Sequence, residues 1–135
     1  MGQRLAHIKV TTDAREAFVD VTREVGAAVR AAGVAEGIAT VWSPHTTAAV
    51  TVNEHADPDV ACDVLEALRR LVPRDGGWRH VEGNADAHAK AVIVGPSVSI
   101  PVVDGELALG TWQGVFFCEF DGPRSRHLIV TVTST

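Results

Sequence analysis

The dipeptide Asp104-Gly105 stands between two extended-type runs, residues 98–103 and 106–110. A two-residue hairpin turn needs positive φ at its central positions, and Asp and Gly accept that backbone more readily than most residues. The pair therefore predicts a tight antiparallel hairpin and commits the surrounding chain to antiparallel pairing. Two more runs follow, 114–120 and 128–132, separated by the turn Asp121-Gly122-Pro123. The last third reads as an antiparallel meander. Val115, Phe116 and Phe117 are consecutive within it, so both faces of that strand are apolar.

The first half mixes strands with helices. Residues 5–11 alternate, with Ile8 and Val10 set against His7 and Lys9, and predict a strand. Asp13 is placed to cap a helix whose apolar face is Ala17, Phe18, Val21, Val25, Ala28 and Val29, ending at Gly33. Strands are expected at 37–42 and 46–52. Asp57-Pro58 opens a second helix, with a buried stripe of Val60, Val64, Leu65, Leu68 and Leu71 and a stop at Pro73. Asn84 is expected to cap a third helix that runs to Val94 and closes at Gly95. The total is about seven strands and about three helices. The layout is α+β, a two-layer sandwich with a largely antiparallel sheet, in one domain spanning 1–135.

The totals narrow the classes of function. With a net charge of −5, the chain has no basic excess for nucleic acid or an anionic membrane. No apolar stretch approaches the ~20 residues of a membrane helix, and the N-terminal residues show no leader-like apolar segment, so a cytoplasmic location is expected. Cys62 and Cys118 are isolated and are expected to be buried free thiols, in keeping with a reducing compartment.

Four of the six histidines, His45, His55, His80 and His88, lie in short polar contexts. Imidazole is packable, basic near neutral pH and a good metal ligand. His88 falls in the first turn of the third expected helix, where the positive end of the dipole favours the neutral, metal-binding or general-base form. His45 after Pro44 also fits a plain surface turn, and His88 a half-exposed helix position. The spacing of His80 and His88 permits a three-histidine metal site with His45 but matches no zinc signature. Glu54, Asp57 and Asp63 offer carboxylates near His45, though Asp63 also fits a solvated helix face. Glu119, inside an apolar run, either faces solvent or is buried against a cation. Arg124 and Arg126 are two apart and would point the same way in an extended segment. They fork one anion or pair with Asp121 and Glu119. Trp112 and Gln113 beside Gly110 suit a flat ligand, while tryptophan also serves cores and interfaces.

Taken together, Pro44-His45-Thr46-Thr47-Ala48-Ala49, Asn84-Ala85-Asp86-Ala87-His88, Leu109-Gly110-Thr111-Trp112-Gln113 and Asp121-Gly122-Pro123-Arg124-Ser125-Arg126 resemble the YjbQ family in order and over nearly the whole chain. The resemblance implies a small α+β sandwich assembled as a homotrimer. It implies His45, His80 and His88 as a histidine cluster, catalytic or metal-holding, with Glu119 as a further catalytic candidate. Asn84, Trp112, Gln113, Arg124 and Arg126 become candidates for substrate contact. Some members are credited with a secondary thiamine-phosphate synthase activity, which joins a pyrimidinylmethyl diphosphate to a thiazole phosphate and releases pyrophosphate. The expected partner is therefore a small phosphorylated molecule, and the expected cofactor is a divalent metal, Zn or Mg. A non-catalytic trimeric metal- or anion-binding protein is the alternative. The Val115–Phe117 run adds a motive for assembly: the domain's own helices cover one face of the strand, and a second copy covers the other.

Overall fold

The computed structural model describes residues 3–135. Met1 and Gly2, part of the N-terminal segment read above as lacking a leader, lie outside the described residues. The elements run in the order β1 (Gln3–Thr11), β2 (Ala17–Asp20), α1 (Thr22–Ala32), β3 (Gly37–Trp42), β4 (Ala48–Glu54), α2 (Pro58–Leu71), α3 (Ala85–Val94), β5 (Ser97–Val103), β6 (Glu106–Leu107), β7 (Gln113–Glu119) and β8 (Ser125–Ser134). The fold is α+β. One antiparallel sheet has the order β1-β8-β3-β5-β6 and the other β2-β7-β4. No helix among the described residues is long and apolar enough to cross a membrane.

Most local expectations hold. Asp104 and Gly105 take φ of 52° and 78°, and Val103 pairs with Glu106 across the turn. Gly33 closes α1 at φ 70°. The Asp57 side chain accepts a hydrogen bond from the Asp59 amide at 2.9 Å, and Pro58 is the first residue of α2. Several expectations fail. Residues 17–20 form an eighth strand, β2, rather than the start of the first helix, and Asp13 caps nothing. Phe18 and Val19 instead pair with Cys118 and Phe117. The Asp20 carboxylate accepts from the Thr22 amide at 3.0 Å, which ends the strand and starts the helix. The expected strand 106–110 stops at Leu107. Leu71 is 74 % exposed, because the chain turns at the end of α2 and buries Val72 instead. Cys62 is exposed, while Cys118 is buried as expected.

The C-terminal third is not a meander. β5, β6 and β8 belong to the large sheet and β7 to the small one, so the Asp121–Pro123 turn carries the chain between layers. This places the apolar run of β7 in the middle of the molecule. Val115 and Phe117 join the core between the sheets, with Val41, Val130, Leu128 and the inner face of α1. Phe116 and Cys118 face the other way, into a second core with Leu65 and Leu68 of α2 and Ala87 and Ala91 of α3. Both faces of this strand are therefore covered within one chain, and the motive for a partner drawn from it falls away. The face left open is the outer side of the large sheet, where Leu5, Ile38, Trp42 and Val103 are exposed.

Candidate functional site

Glu119 continues the inward alternation of Val115 and Phe117, so β7 delivers a carboxylate into the end of the inter-sheet core, where it is fully buried. Val10, Leu128 and Arg126 lie on the inner face of the large sheet, and Arg126 projects from that face to meet it. Arg126 Nε donates to Glu119 Oε1 at 2.8 Å, and its Nη2 donates both to Glu119 Oε2 and, at 2.9 Å, to Thr47 Oγ1. The Thr12 hydroxyl donates to Glu119 Oε1 at 2.8 Å, and the Asp121 amide donates to Oε2 at 3.0 Å. Burial acts to raise the Glu119 carboxyl, but the Arg126, Asp121 and Thr12 donors outweigh it and hold the group below the usual carboxylate range. Glu119 is thus an ionised, fully bonded strut between the sheets. Of the two readings open for it, burial against a cation is realised.

A polar cavity of about 400 Å³ opens over this strut. Its wall includes His45, Thr46, Thr47, Asn84, His88 and Arg124, with Arg126 at its base. The loop that carries His45 is fixed at both ends: the Ser43 amide donates to Pro96 O at 2.7 Å, and Thr47 O accepts from the Phe120 amide at 3.1 Å. His45 Nε2 lies 3.1 Å from both the amide nitrogen and the carbonyl oxygen of His127. It accepts from the one or donates to the other according to tautomer. Either arrangement occupies Nε2 and leaves Nδ1 without a hydrogen-bond partner among the described residues. Burial, followed by the nearby Arg126 charge, pushes the imidazole below the ordinary histidine range, so His45 is neutral at pH 7.

Asn84 sits at the first cap position of α3, as expected, but its side chain makes no capping bond. Instead Nδ2 donates to Asp121 Oδ2 at 2.8 Å, and Oδ1 is buried without a partner among the described residues. Arg124 is half exposed and donates to the Asp121 carbonyl at 2.7 Å and to the Asp121 carboxylate at 3.0 Å. Both arginines therefore have carboxylates within the chain, which is the salt-bridge alternative read from the sequence, while both also line the cavity.

The remaining candidates are divided. His88 lines the cavity, and the His80 ring stands 5.3 Å from it, edge to face, although His80 is not part of the wall. Among the described residues, no three His, Cys, Asp or Glu side chains are gathered as a metal cage, so one chain alone does not assemble the three-histidine centre. Trp112 is exposed, and Gln113 Oε1 accepts from the Gly110 amide at 2.9 Å. They sit at the opposite end of β7 from Glu119, roughly 20 Å away at strand rise, and are not brought into this cavity. Glu54 and Asp57 line a different cavity, and Asp63 is exposed.

Sequence reading missed a buried ionic chain beside the site. Lys90, 1 % exposed, donates to Glu16 at 2.6 Å and to Asp86 at 3.0 Å; Arg15 reaches Asp86 at 3.1 Å and Arg69 reaches Glu16 at 2.6 Å. This network locks α3, and with it Asn84 and His88, to the bend that precedes β2 and to α2. The one legible signal was the i,i+4 spacing of Asp86 and Lys90, which on most helices marks a solvated pair. Thr12 carried no signal, and Thr47 was marked only as part of the motif around His45.

The chain and its fold have close counterparts. Residues 6–135 match the family model described as UPF0047 protein YjbQ-like. The chain is 46 % identical to the UPF0047 protein YugU of Bacillus subtilis over 123 residues, covering 90 % of this chain and 93 % of that protein. It is 42 % identical to a UPF0047 protein of Archaeoglobus fulgidus over 125 residues, covering 91 % and 96 %. A crystal structure of a YjbQ/UPF0047 family protein from Clostridium acetobutylicum superposes with a TM-score of 0.92 at 46 % identity, covering 94 % and 98 %. A YbjQ-like protein of unknown function from Sulfolobus solfataricus superposes with a TM-score of 0.95 at 34 % identity, covering 98 % of each chain. None of these names states a catalytic activity. With the family model spanning all but the first five residues, the chain belongs to the YjbQ-like UPF0047 family.

Proposed function

We propose that the His45 cavity binds a small phosphorylated molecule and that His45 exchanges a proton with it. The observation that carries this reading is the setting of His45: one ring nitrogen is tied to the His127 main chain and the other is unpartnered in a polar cavity. Such a group serves as hydrogen-bond donor or proton acceptor to a ligand oxygen according to tautomer. Arg124 is the cation for the anion, because it is half exposed and held only by its own turn. Arg126 contributes through position and field, since Glu119 already takes its charge. The finer reading, thiamine-phosphate synthesis, asks this site to hold a diphosphate leaving group, which suits Arg124 and the Thr46 and Thr47 hydroxyls. The second reading is divalent-metal binding, favoured by the 5.3 Å contact of the His80 and His88 rings; it requires a ligand from substrate or from another copy.

A homotrimer is part of this proposal. The open outer face of the large sheet, where Leu5 of β1, Ile38 and Trp42 of β3 and Val103 of β5 are exposed, supplies apolar surface for a neighbouring copy. Assembly is also the route by which Trp112 and Gln113 would reach the cavity of another chain. Titration of inorganic phosphate and pyrophosphate, followed by the imidazole resonances with and without chelator, tests the site. Saturable shifts of His45, weakened about tenfold in Arg124→Gln, are the expected result. Identical binding by wild type, Arg124→Gln and His45→Gln would refute the assignment. Sedimentation should return three times the 14.3 kDa chain mass, and a ligand-binding monomer would refute the shared site.

A further inference from the structure

A second cavity, of about 340 Å³, lies between the N-terminal half of α2 and the smaller sheet, away from His45. Its floor is apolar: Phe18, Phe116 and Leu65, with the two rings 5.8 Å apart and tilted by 42°. Its rim carries three carboxylates, Asp20, Glu54 and Asp57, with the His55 imidazole beside Asp20. Among the described residues, no lysine or arginine lines it. We propose that this cavity binds a small organic cation, an ammonium carried on an aromatic or short alkyl group.

The rim carboxylates are held in place by hydrogen bonds that do not remove their charge. Asp20 accepts from the Thr22 amide at 3.0 Å and is bonded to His55 Nδ1 at 2.9 Å; Glu54 Oε2 accepts from the Asp57 amide at 3.2 Å. Asp57 faces the N-terminus of its own helix, whose dipole offsets part of its charge. Asp20 and Glu54 remain as the anionic edge. Asp20 stays ionised, because the Thr22 and His55 donors outweigh a burial that acts to raise it. A carboxylate above aromatic faces is the chemistry that recognises an organic ammonium, by charge at the rim and by ring quadrupole and apolar contact below. An anionic ligand would meet like charge, and a neutral one would gain only the floor. The cavity is preformed: the His55 ring packs over Gly114, where an added Cβ would come within 2.4 Å of it, so the rim is seated against backbone.

Cys62 lines the same cavity and is exposed, while Cys118 is fully buried, so one thiol reports occupancy. The probes are 2-phenylethylammonium, 2-phenylethanol and 3-phenylpropionate, which share a ring and differ in charge. The measurement is the rate of Cys62 alkylation by iodoacetamide, read by mass, as each probe is added to the intact protein. The ammonium should slow alkylation saturably by about fivefold or more, the alcohol less, and the carboxylate not at all. Glu54→Gln, which keeps an acceptor for the Asp57 amide, should weaken protection by the ammonium about tenfold, the equivalent of one lost charge contact of 1.4 kcal/mol. Equal protection by all three probes, protection by none, or an unchanged response in Glu54→Gln would overturn the proposal. His45→Gln should leave the protection intact, which separates this site from the phosphate cavity.

Discussion

Arg126→Met tests the view that the polar end of the sandwich is a strut whose arginine is structural as well as site-lining. The substitution removes two hydrogen bonds to Glu119 and one to Thr47, all buried. Methionine fills much of the volume, so the cost is dominated by the carboxylate left behind. Glu119 is fully buried and keeps the Thr12 hydroxyl and the Asp121 amide but no cation. Removing one partner of a buried ion pair costs about 3–5 kcal/mol, against a total near 5–15 kcal/mol for a domain. For a chain of this length that is a fall in Tm on the order of 10–20 °C. Urea denaturation of wild type, Arg126→Met, Glu119→Met and the double variant gives the coupling. The double variant should be more stable than Arg126→Met by about 2 kcal/mol, because it no longer buries an unpaired charge. It should not fully regain wild-type stability, since the Asp121 amide loses its acceptor and Thr12 loses the shorter of its two. A loss below about 1 kcal/mol in Arg126→Met, or strictly additive single variants, would refute the strut.

Arg124→Gln should behave oppositely: its exposed ion pair with Asp121 is worth less than about 1 kcal/mol, so Tm should hold while phosphate binding weakens in the same titration. Acid should unfold the protein through its buried and half-buried carboxylates. Glu119, Asp86 and Asp121 all titrate below their ordinary values because cation and hydrogen-bond partners outweigh burial. Their contribution is complete above the unfolded value near pH 4 and is lost as pH falls through the depressed folded values; an acid titration by circular dichroism should show the loss there, and a flat profile down to pH 2 would contradict it. Asp57→Ala removes the side-chain cap on α2 and should cost about 1 kcal/mol, measurable by urea midpoint, with Asp57→Asn restoring most of it.

Local chemistry was legible in the chain wherever a residue's role depends on its immediate neighbours. Asp104-Gly105 as a hairpin, Gly33 as a left-handed helix end and Asp57-Pro58 as a helix start need only backbone sterics and one or two hydrogen bonds. The motifs around His45, Asn84, His88 and Arg124 were legible too, and they do share one cavity. Tertiary structure decided the rest. Residues 17–20 carry a helical apolar pattern as well as a strand pattern, and only the free edge of β7 selects the strand. The alternation that placed Glu119 inward says nothing about Arg126, which arrives from the other sheet because the Asp121–Pro123 turn changes layers instead of closing a hairpin. Lys90 shows the same limit: its i,i+4 partner Asp86 is local, yet Glu16, which pairs with Lys90, and Arg15, which pairs with Asp86, are each more than seventy residues from their partners. A buried charge is stabilised by where its partners come together in space, and sequence spacing does not record that.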